Sequence, residues 1–496
     1  MEMEKQVKEL LMLLLKNILS KKIRKKENNM EKLKGACDIL INGIFGIAFF
    51  LVLLWMFKGS FGIIIAILLL LGTLYIFNRF DVSHKKFLII LLVFSFLIRF
   101  TMVVEIKNPQ LSDFKTLYDI SEDFLDGSLQ EKSQHYLNSY NYQIYFVLFQ
   151  ALCLKIVNKI VFLKFINVII SLACIALMYR IINRITSKFT AQIITVLYAF
   201  FINPILYNNI LSNQHLFLCL TLLGFDLFFE EKFFKNDILK FSVVGLVIGI
   251  ANLIRPESII TVVTLGFISV YRLLKKEDSI KDVIKKFMPF LFVYLVITIL
   301  PSYMLRNVGF VKNEPEIGNL YKVVIGLNSK SNGCWSEEAY NEYINQTDKS
   351  QYEISKIKEE SCNINLIKLF VKKINIFWND FGNYWSISYL TNDTLENTKI
   401  KTETFKKFIE DYDKVIWIFA CAISLLSIFV SKTDEGKTYF IYLIGAFLMY
   451  LIIEVQGRYA FVYRPYMFIV ASIGLKNIID FLKSKKVFEI QKAEYK

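Results

Sequence analysis

Uncharged apolar runs of about twenty residues recur along this chain, and they limit its fold more than any other feature. A helix rising 1.5 Å per residue needs about that length to cross the ~30 Å hydrocarbon core of a bilayer. Such runs lie near 37–57, 61–79, 86–106, 160–182, 189–207, 214–230, 238–254, 257–274, 287–305, 413–431, 437–455 and 463–480. The expectation is an all-α polytopic membrane protein with about twelve transmembrane helices. Only 7 prolines and 20 glycines in 496 residues argue against disordered linkers, and no repeat period suggests a solenoid.

One segment decides the expected topology. "YQIYFVLFQALCLKIV" (142–157) read as a span would put three basic loops, 180–188, 230–240 and 271–286, on the outer side. Cytoplasmic loops carry the Lys/Arg excess, so the segment is read instead as a short helix at the outer interface. Both termini are then cytoplasmic. The outward pieces are 107–159, the turn 203–214, "RPES" (255–258), a long loop from 306 to 412, and "EVQGRYAFVYRP" (454–465). The expected organisation is a basic amphipathic N-terminus (1–35), two added spans (36–85), a core module (86–305), a mixed extracytoplasmic loop domain (306–412) and C-terminal spans with a cytoplasmic tail (413–496). The first 35 residues do not read as a signal peptide, because the apolar run Leu10–Leu15 is short and flanked by lysines. The formal charge of +15 follows the loops between spans, and no nucleic-acid-binding motif accompanies it.

The unusual polar residues gather in the outward pieces. Wound as a helix, 111–128 places Leu111, Phe114, Leu117, Tyr118, Ile120, Phe124 and Leu125 on one apolar arc. Asp119, Glu122, Asp123 and Asp126 collect opposite, on a solvated face. Asp113 falls inside the apolar arc, where an unpaired charge is costly. Two readings stand: Ser112 or Asp113 caps the first turn, or Asp113 is a general base or metal ligand for an acceptor hydroxyl.

Arg255, Glu454, Arg458 and Arg464 sit at span ends, where arginines either snorkel to headgroups or hold a phosphate. Arg99 lies deeper, so an acidic or phosphate partner is expected, Glu105 being near. In the amide-rich turn, Asn209, Asn213, Gln214 and His215 are either an ordinary polar turn or sugar-binding groups, with His215 a further site candidate. Trp378, Tyr384 and Trp385 read as an interfacial belt or as sugar-stacking rings. Cys334 and Cys362 share one polar loop and form either a disulfide or two free thiols, while the three scattered histidines argue against a His-rich metal centre.

Taken in order, these pieces resemble the GT-C membrane glycosyltransferases, in the branch of protein O-mannosyltransferases and lipid A aminoarabinose transferases. Nearest in pattern are the Gram-positive integral membrane members, with "SDFK-x-x-YD" matching 112–119 and "GLN-x-x-S-x-G-x-W" matching 326–335. Tyr118 and Trp335 belong to those two motifs and are expected near the substrate. The resemblance spans about residues 86 to 480. It implies transfer of a sugar, with inversion, from a polyprenyl-phosphate carrier to an extracytoplasmic glycan, lipid or protein. Asp113 would activate the acceptor, and Arg255 and Arg458 would hold the carrier phosphate. Many relatives carry an adjacent Asp-Glu pair where this chain has Asp113-Phe114, so the resemblance leaves a divalent metal open. Two rival classes share the many-span character: an envelope polysaccharide polymerase or ligase, and a transporter or flippase. Charges at the outer boundary rather than the bilayer midplane, and the absence of repeats, weigh against the transporter.

Overall fold

The computed structural model describes residues 61–307, 316–363, 365–379, 401–427 and 433–494, together with Leu390. The expected span at 37–57 lies outside them, as do Tyr384 and Trp385. The chain divides between Ile64 and Ile65 into two compact units, and the second contains the helical bundle. The described residues are helical and hold no strand.

From the first described residue the helices are α1 (Phe61–Arg79), α2 (His84–Glu105), α3 (Ser112–Asp126), α4 (Glu131–Ser139), α5 (Ile144–Ile156), α6 (Ile160–Ile185) and α7 (Lys188–Ala199). Then come α8 (Ile202–Tyr207), α9 (Gln214–Phe229), α10 (Asp237–Ile254), α11 (Ile259–Leu274) and α12 (Ile280–Asn307). The loop region supplies α13 (Tyr321–Leu327), α14 (Glu337–Ile344), α15 (Lys349–Asn363) and α16 (Leu366–Asn379). The chain closes with α17 (Thr402–Ser427), α18 (Asp434–Ile452) and α19 (Arg464–Glu494). Where it is described, the stretch expected to form a mixed domain is therefore purely helical.

Seven described helices are long and apolar enough to cross a membrane. Many of their large apolar side chains face outward, such as Phe292, Ile299 and Leu274, a surface that lipid rather than water solvates. The chain is accordingly read as a multi-pass membrane protein. Inside the bundle α10 lies against α12, and Gly245 and Gly249 permit the approach. A Cβ at Gly245 would stand 2.3 Å from the Phe290 carbonyl oxygen.

Four expected spans differ in form. The run 189–207 is two helices, α7 and α8, because the buried Asp413 carboxylate accepts the N–H groups of Ile202 and Asn203, each at 2.8 Å. Those donors begin a new helix instead of continuing the old one. The run at 214–230 is a helix of 16 residues, and the described part of 413–431 and most of 437–455 belong to α17 and α18, whose first turns carry acidic side chains. The segment at 142–157 is the 13-residue α5, about 20 Å long and too short to cross alone.

The two ends of the bundle differ in chemistry. At one end Arg180 meets Asp226 and Glu230 at 3.1 and 2.6 Å, and Arg184 meets Asp226 and Glu435. Lys285 reaches Asp237 at 3.2 Å, so the three basic loops share this end. Helices α9 and α11 start at the opposite end and finish here, while α18 runs the other way. That opposite end holds a cavity.

Candidate active site

The cavity has a volume of about 590 Å³ and is lined by residues from α3, the α4–α5 turn, the start of α9, the 255–259 segment, the 306–412 region and the 449–459 segment. Three cation–carboxylate pairs stand in its wall: Arg458 with Asp113, Arg255 with Glu257, and Lys322 with Glu454. The carboxylates are not held equally. Glu257 accepts from both ends of the Arg255 guanidinium and from the Tyr450 hydroxyl. Glu454 accepts from Lys322, from Gln456 at 2.6 Å and from Tyr459 at 3.4 Å. Asp113 is bound through one oxygen, Oδ2, at 3.0 Å from Arg458 Nη2, and 43% of its side chain is exposed. Its Oδ1 is the uncommitted carboxylate oxygen of the three pairs.

Local backbone explains how α3 presents Asp113. The helix opens with Ser112 at φ +52°, in the left-handed region that costs a side-chain-bearing residue about 1–2 kcal/mol. It closes at Gly127, with φ +74°. Phe114, Leu117, Ile120 and Ser121 bury one face, which fixes the helix and leaves Asp113 at the cavity rim. Neither Ser112 nor Asp113 bonds a first-turn amide with its side chain, so no capping hydrogen bond forms; the N-cap is Leu111, and Asp113 is the acid of the first turn. The acids Asp119 and Glu122 face away from the cavity, pairing with Lys115 and Tyr118 along the same helix.

Both arginines flank one ring. Arg255 lies 5.6 Å and Arg458 5.5 Å from the centroid of Tyr459. Arg458 also stacks on Phe114, at 5.1 Å, and its carbonyl accepts from Gln214 Nε2 at 2.7 Å. Arg255 is further fixed by Asn213 Oδ1 at 2.8 Å. Each guanidinium is thus oriented before any ligand arrives. The Tyr136 phenol also lines the cavity; burial, with the Asp113 charge added, pushes its pKa well above the ordinary value and keeps it a donor. At Lys322 desolvation opposes the charge, but the Glu454 carboxylate outweighs it and holds the ammonium well above its ordinary pKa.

The motif at 326–335 has a mechanical reason. A Cβ at Gly326 would stand 2.1 Å from the Ile452 carbonyl oxygen, so only glycine lets α13 approach the chain leaving α18. Asn328 Oδ1 accepts the N–H groups of Lys330 and Ser331, and the turn passes through Asn332 at φ +56° and Gly333 at φ +77°. The Gly333 carbonyl then takes the Val455 N–H at 2.9 Å, and the Lys322 carbonyl takes the Glu454 N–H at 2.8 Å. Lys373, 1% exposed, clamps the same junction by donating to the Gly326 and Ile453 carbonyls at 2.7 and 2.8 Å. Burial lowers its pKa to about 8. The result is a fixed ledge that carries Trp335 into the cavity wall.

Of the residues singled out in the sequence, Asp113, Asn213, Gln214, Arg255, Trp335, Glu454 and Arg458 line this one cavity. Tyr118, Arg99 and His215 do not: Tyr118 donates to Glu122 on the far side of α3. Arg99 is fully buried and donates to Ser171 at 3.0 Å, not to Glu105. His215 is buried between Tyr207 and Phe461. Trp378 stacks on Trp417 at 5.8 Å rather than facing the cavity, and Cys334 and Cys362 are not joined. Sequence reasoning missed Lys322, Tyr136, Tyr140 and Tyr142. Nothing local distinguishes them from ordinary loop residues, although Glu257 and Tyr459 stood inside motifs already noticed. Among the described residues no three acidic, histidine or cysteine side chains converge as a metal site, and the charge beside Asp113 is a guanidinium.

No protein-family model and no curated protein sequence matches the chain. Among solved structures it is similar to the archaeal oligosaccharyltransferase AglB from Archaeoglobus fulgidus in complex with an inhibitory peptide and a dolichol-phosphate. That likeness has 12% identity and a TM-score of 0.45, over 82% of this chain and 52% of that one. The apo form of the A. fulgidus oligosaccharyltransferase gives a TM-score of 0.48 at 12% identity, with the same shares of each chain. ArnT from Cupriavidus metallidurans bound to undecaprenyl phosphate gives 0.29 at 12% identity, over 80% of this chain and 78% of that one. The chain spans about half the length of the oligosaccharyltransferase.

Proposed function

We propose that the protein is a membrane glycosyltransferase that moves a sugar from a polyprenyl-monophosphate carrier to a hydroxyl acceptor, at a site facing away from the cytoplasm. The observation that carries this reading is one cavity holding a half-exposed carboxylate with a free oxygen beside two fixed guanidinium groups around Tyr459. The motif resemblance supports the same residues in the same roles. The basic loops gather at the other end of the bundle, which by the positive-inside rule supports a cavity that faces outside.

In the reaction, Asp113 Oδ1 accepts the proton of the acceptor hydroxyl as its oxygen bonds to the sugar's anomeric carbon. The bond from that carbon to the phosphate oxygen breaks, and the electron pair leaves with the carrier phosphate. Arg458 and Arg255, preorganised by Phe114, Tyr459, Asn213 and Glu257, stabilise that developing charge without reorganising. Attack opposite the leaving phosphate inverts the anomeric configuration. The carrier's tail stays in lipid, which explains why a sugar transferase is built mostly of apolar helices.

The test is transfer of labelled sugar by the purified full chain in nanodiscs, using a panel of polyprenyl-monophosphate sugars and membrane extract as acceptor. Transfer that is saturable in donor supports the reading. Transfer only from pyrophosphate-linked oligosaccharides would replace it with a polysaccharide ligase, and labelled lipid crossing the bilayer without transfer would replace it with a flippase.

A further inference from the structure

A second, smaller cavity of about 110 Å³ lies at the same end of the bundle, behind a wall that Tyr142 and Pro256 form between the two. The start of α5, the last turn of α10 and the last turns of α12 supply the rest of its lining. Helix length sets its depth. Lys285, near the start of α12, pairs with Asp237 at the basic end. From there to Arg306 the helix runs about 32 Å at 1.5 Å per residue, one hydrocarbon thickness, so Arg306 stands at the opposite headgroup boundary. Most of α12 presents apolar side chains to lipid, Ile299 and Met304 among them. Thr298, Ser302 and Arg306 interrupt that surface at four-residue spacing, which puts them on one face, and all three line the cavity.

The hollow is built rather than left over. The Tyr145 hydroxyl and Ser302 Oγ bond each other at 2.9 Å, joining α5 to α12. Asn252 Oδ1 accepts from Ser258 at 2.9 Å, which leaves its Nδ2 donors for the cavity. Among the described residues Arg306 has no hydrogen bond and no ion pair, and it is the one cation of a lining that holds no carboxylate. Snorkelling alone would carry Arg306 to the headgroups, but it would not gather an amide and two hydroxyls around the same hollow. We infer that this cavity binds the headgroup of an anionic glycerophospholipid, its phosphate on Arg306, its hydroxyls on Asn252 and Asn141, and its acyl chains along the apolar surface of α12. The sugar carrier fits less well, because its phosphate meets two oriented guanidinium groups in the larger cavity. The inference needs only the multi-pass membrane reading and stands apart from glycosyl transfer. A bound lipid would brace Pro256, whose neighbours Arg255 and Glu257 line the larger cavity.

The test uses the full chain, stripped of lipid in maltoside micelles and titrated with dioleoylphosphatidylglycerol or dioleoylphosphatidylcholine. Binding is read as a saturable rise in melting temperature and as retained lipid by native mass spectrometry. No sugar donor is present, so the outcome is independent of any transfer assay. Phosphatidylglycerol should bind and stabilise at concentrations where phosphatidylcholine does not. Arg306→Gln should weaken that binding about tenfold, the order of one charge-assisted hydrogen bond. Ser302→Leu, which fills the hollow and leaves the charge in place, should weaken it as well. Lys285→Gln, at the other end of the same helix, should bind as wild type. Equal binding of the two lipids, or phosphatidylglycerol affinity unchanged in Arg306→Gln or in Ser302→Leu, would overturn the inference. An equal loss in Lys285→Gln would reduce the effect to bulk charge. Displacement of phosphatidylglycerol by equimolar polyprenyl monophosphate, dependent on Arg306, would give the cavity to the carrier instead.

Discussion

Replacing Asp113 by Asn separates chemistry from architecture better than any other single change in this protein. Arg458 donates one bond to Asp113, to Oδ2 at 3.0 Å, and the amide oxygen of Asn accepts the same bond. What is lost is the difference between a charged and a neutral acceptor, about 1 kcal/mol, and less in a carboxylate with 43% of its side chain exposed. The fold should therefore survive, with a thermal midpoint within a few degrees of wild type. Catalysis should not survive, because an amide takes no proton. Loss of a positioned general base removes about 10²–10⁴ in rate, or roughly 3–5 kcal/mol of barrier. The assay is single-turnover transfer from a saturating polyprenyl-monophosphate sugar, beside a melting curve in the same nanodiscs. Transfer within about threefold of wild type, far less than the loss of a base, would remove Asp113 from the chemistry. A large drop in melting temperature would make it a structural brace for Arg458 instead.

Three further outcomes follow from the geometry. Gly326→Ala forces a methyl group against the Ile452 carbonyl and should cost about 1–3 kcal/mol, read as a lower melting temperature and faster proteolysis near residues 316–379. Lys373 titrates near 8 when folded and near 10.4 when unfolded, so its buried charge weakens the fold below pH 8. From there toward ~10.4 the unfolded chain holds a proton that the folded chain has released, so stability rises with pH. Melting curves of wild type minus Lys373→Met should show that rise, and a flat difference would refute it. Chelation by EDTA should leave transfer intact, because the Asp113 carboxylate faces a guanidinium, which repels a divalent cation; loss of transfer restored by Mg²⁺ or Mn²⁺ would refute that.

Much of the architecture was legible in the chain itself. Seven of the expected spans appear as long apolar helices because length and hydropathy are local properties that lipid reads directly. Asp113 stood out by the same local logic, as an acid on the wrong face of a 3.6-residue period. So did the arginines at 255 and 458, which follow apolar runs at their ends. Tertiary structure decided which of these residues meet. Asp113 and Arg458 are 345 positions apart, and no periodicity joins them. Arg99 and His215 looked equally promising in sequence, yet the packing of α2, α6 and α9 buries them away from the cavity. Lys322 and Tyr140 looked ordinary and became part of the wall. Asp413 broke an expected span by accepting amides from a segment more than two hundred residues earlier. A sequence fixes the face on which a side chain lies through the turn of its own helix, but a charge acquires its partner only when distant helices pack and exclude every other solvent for it.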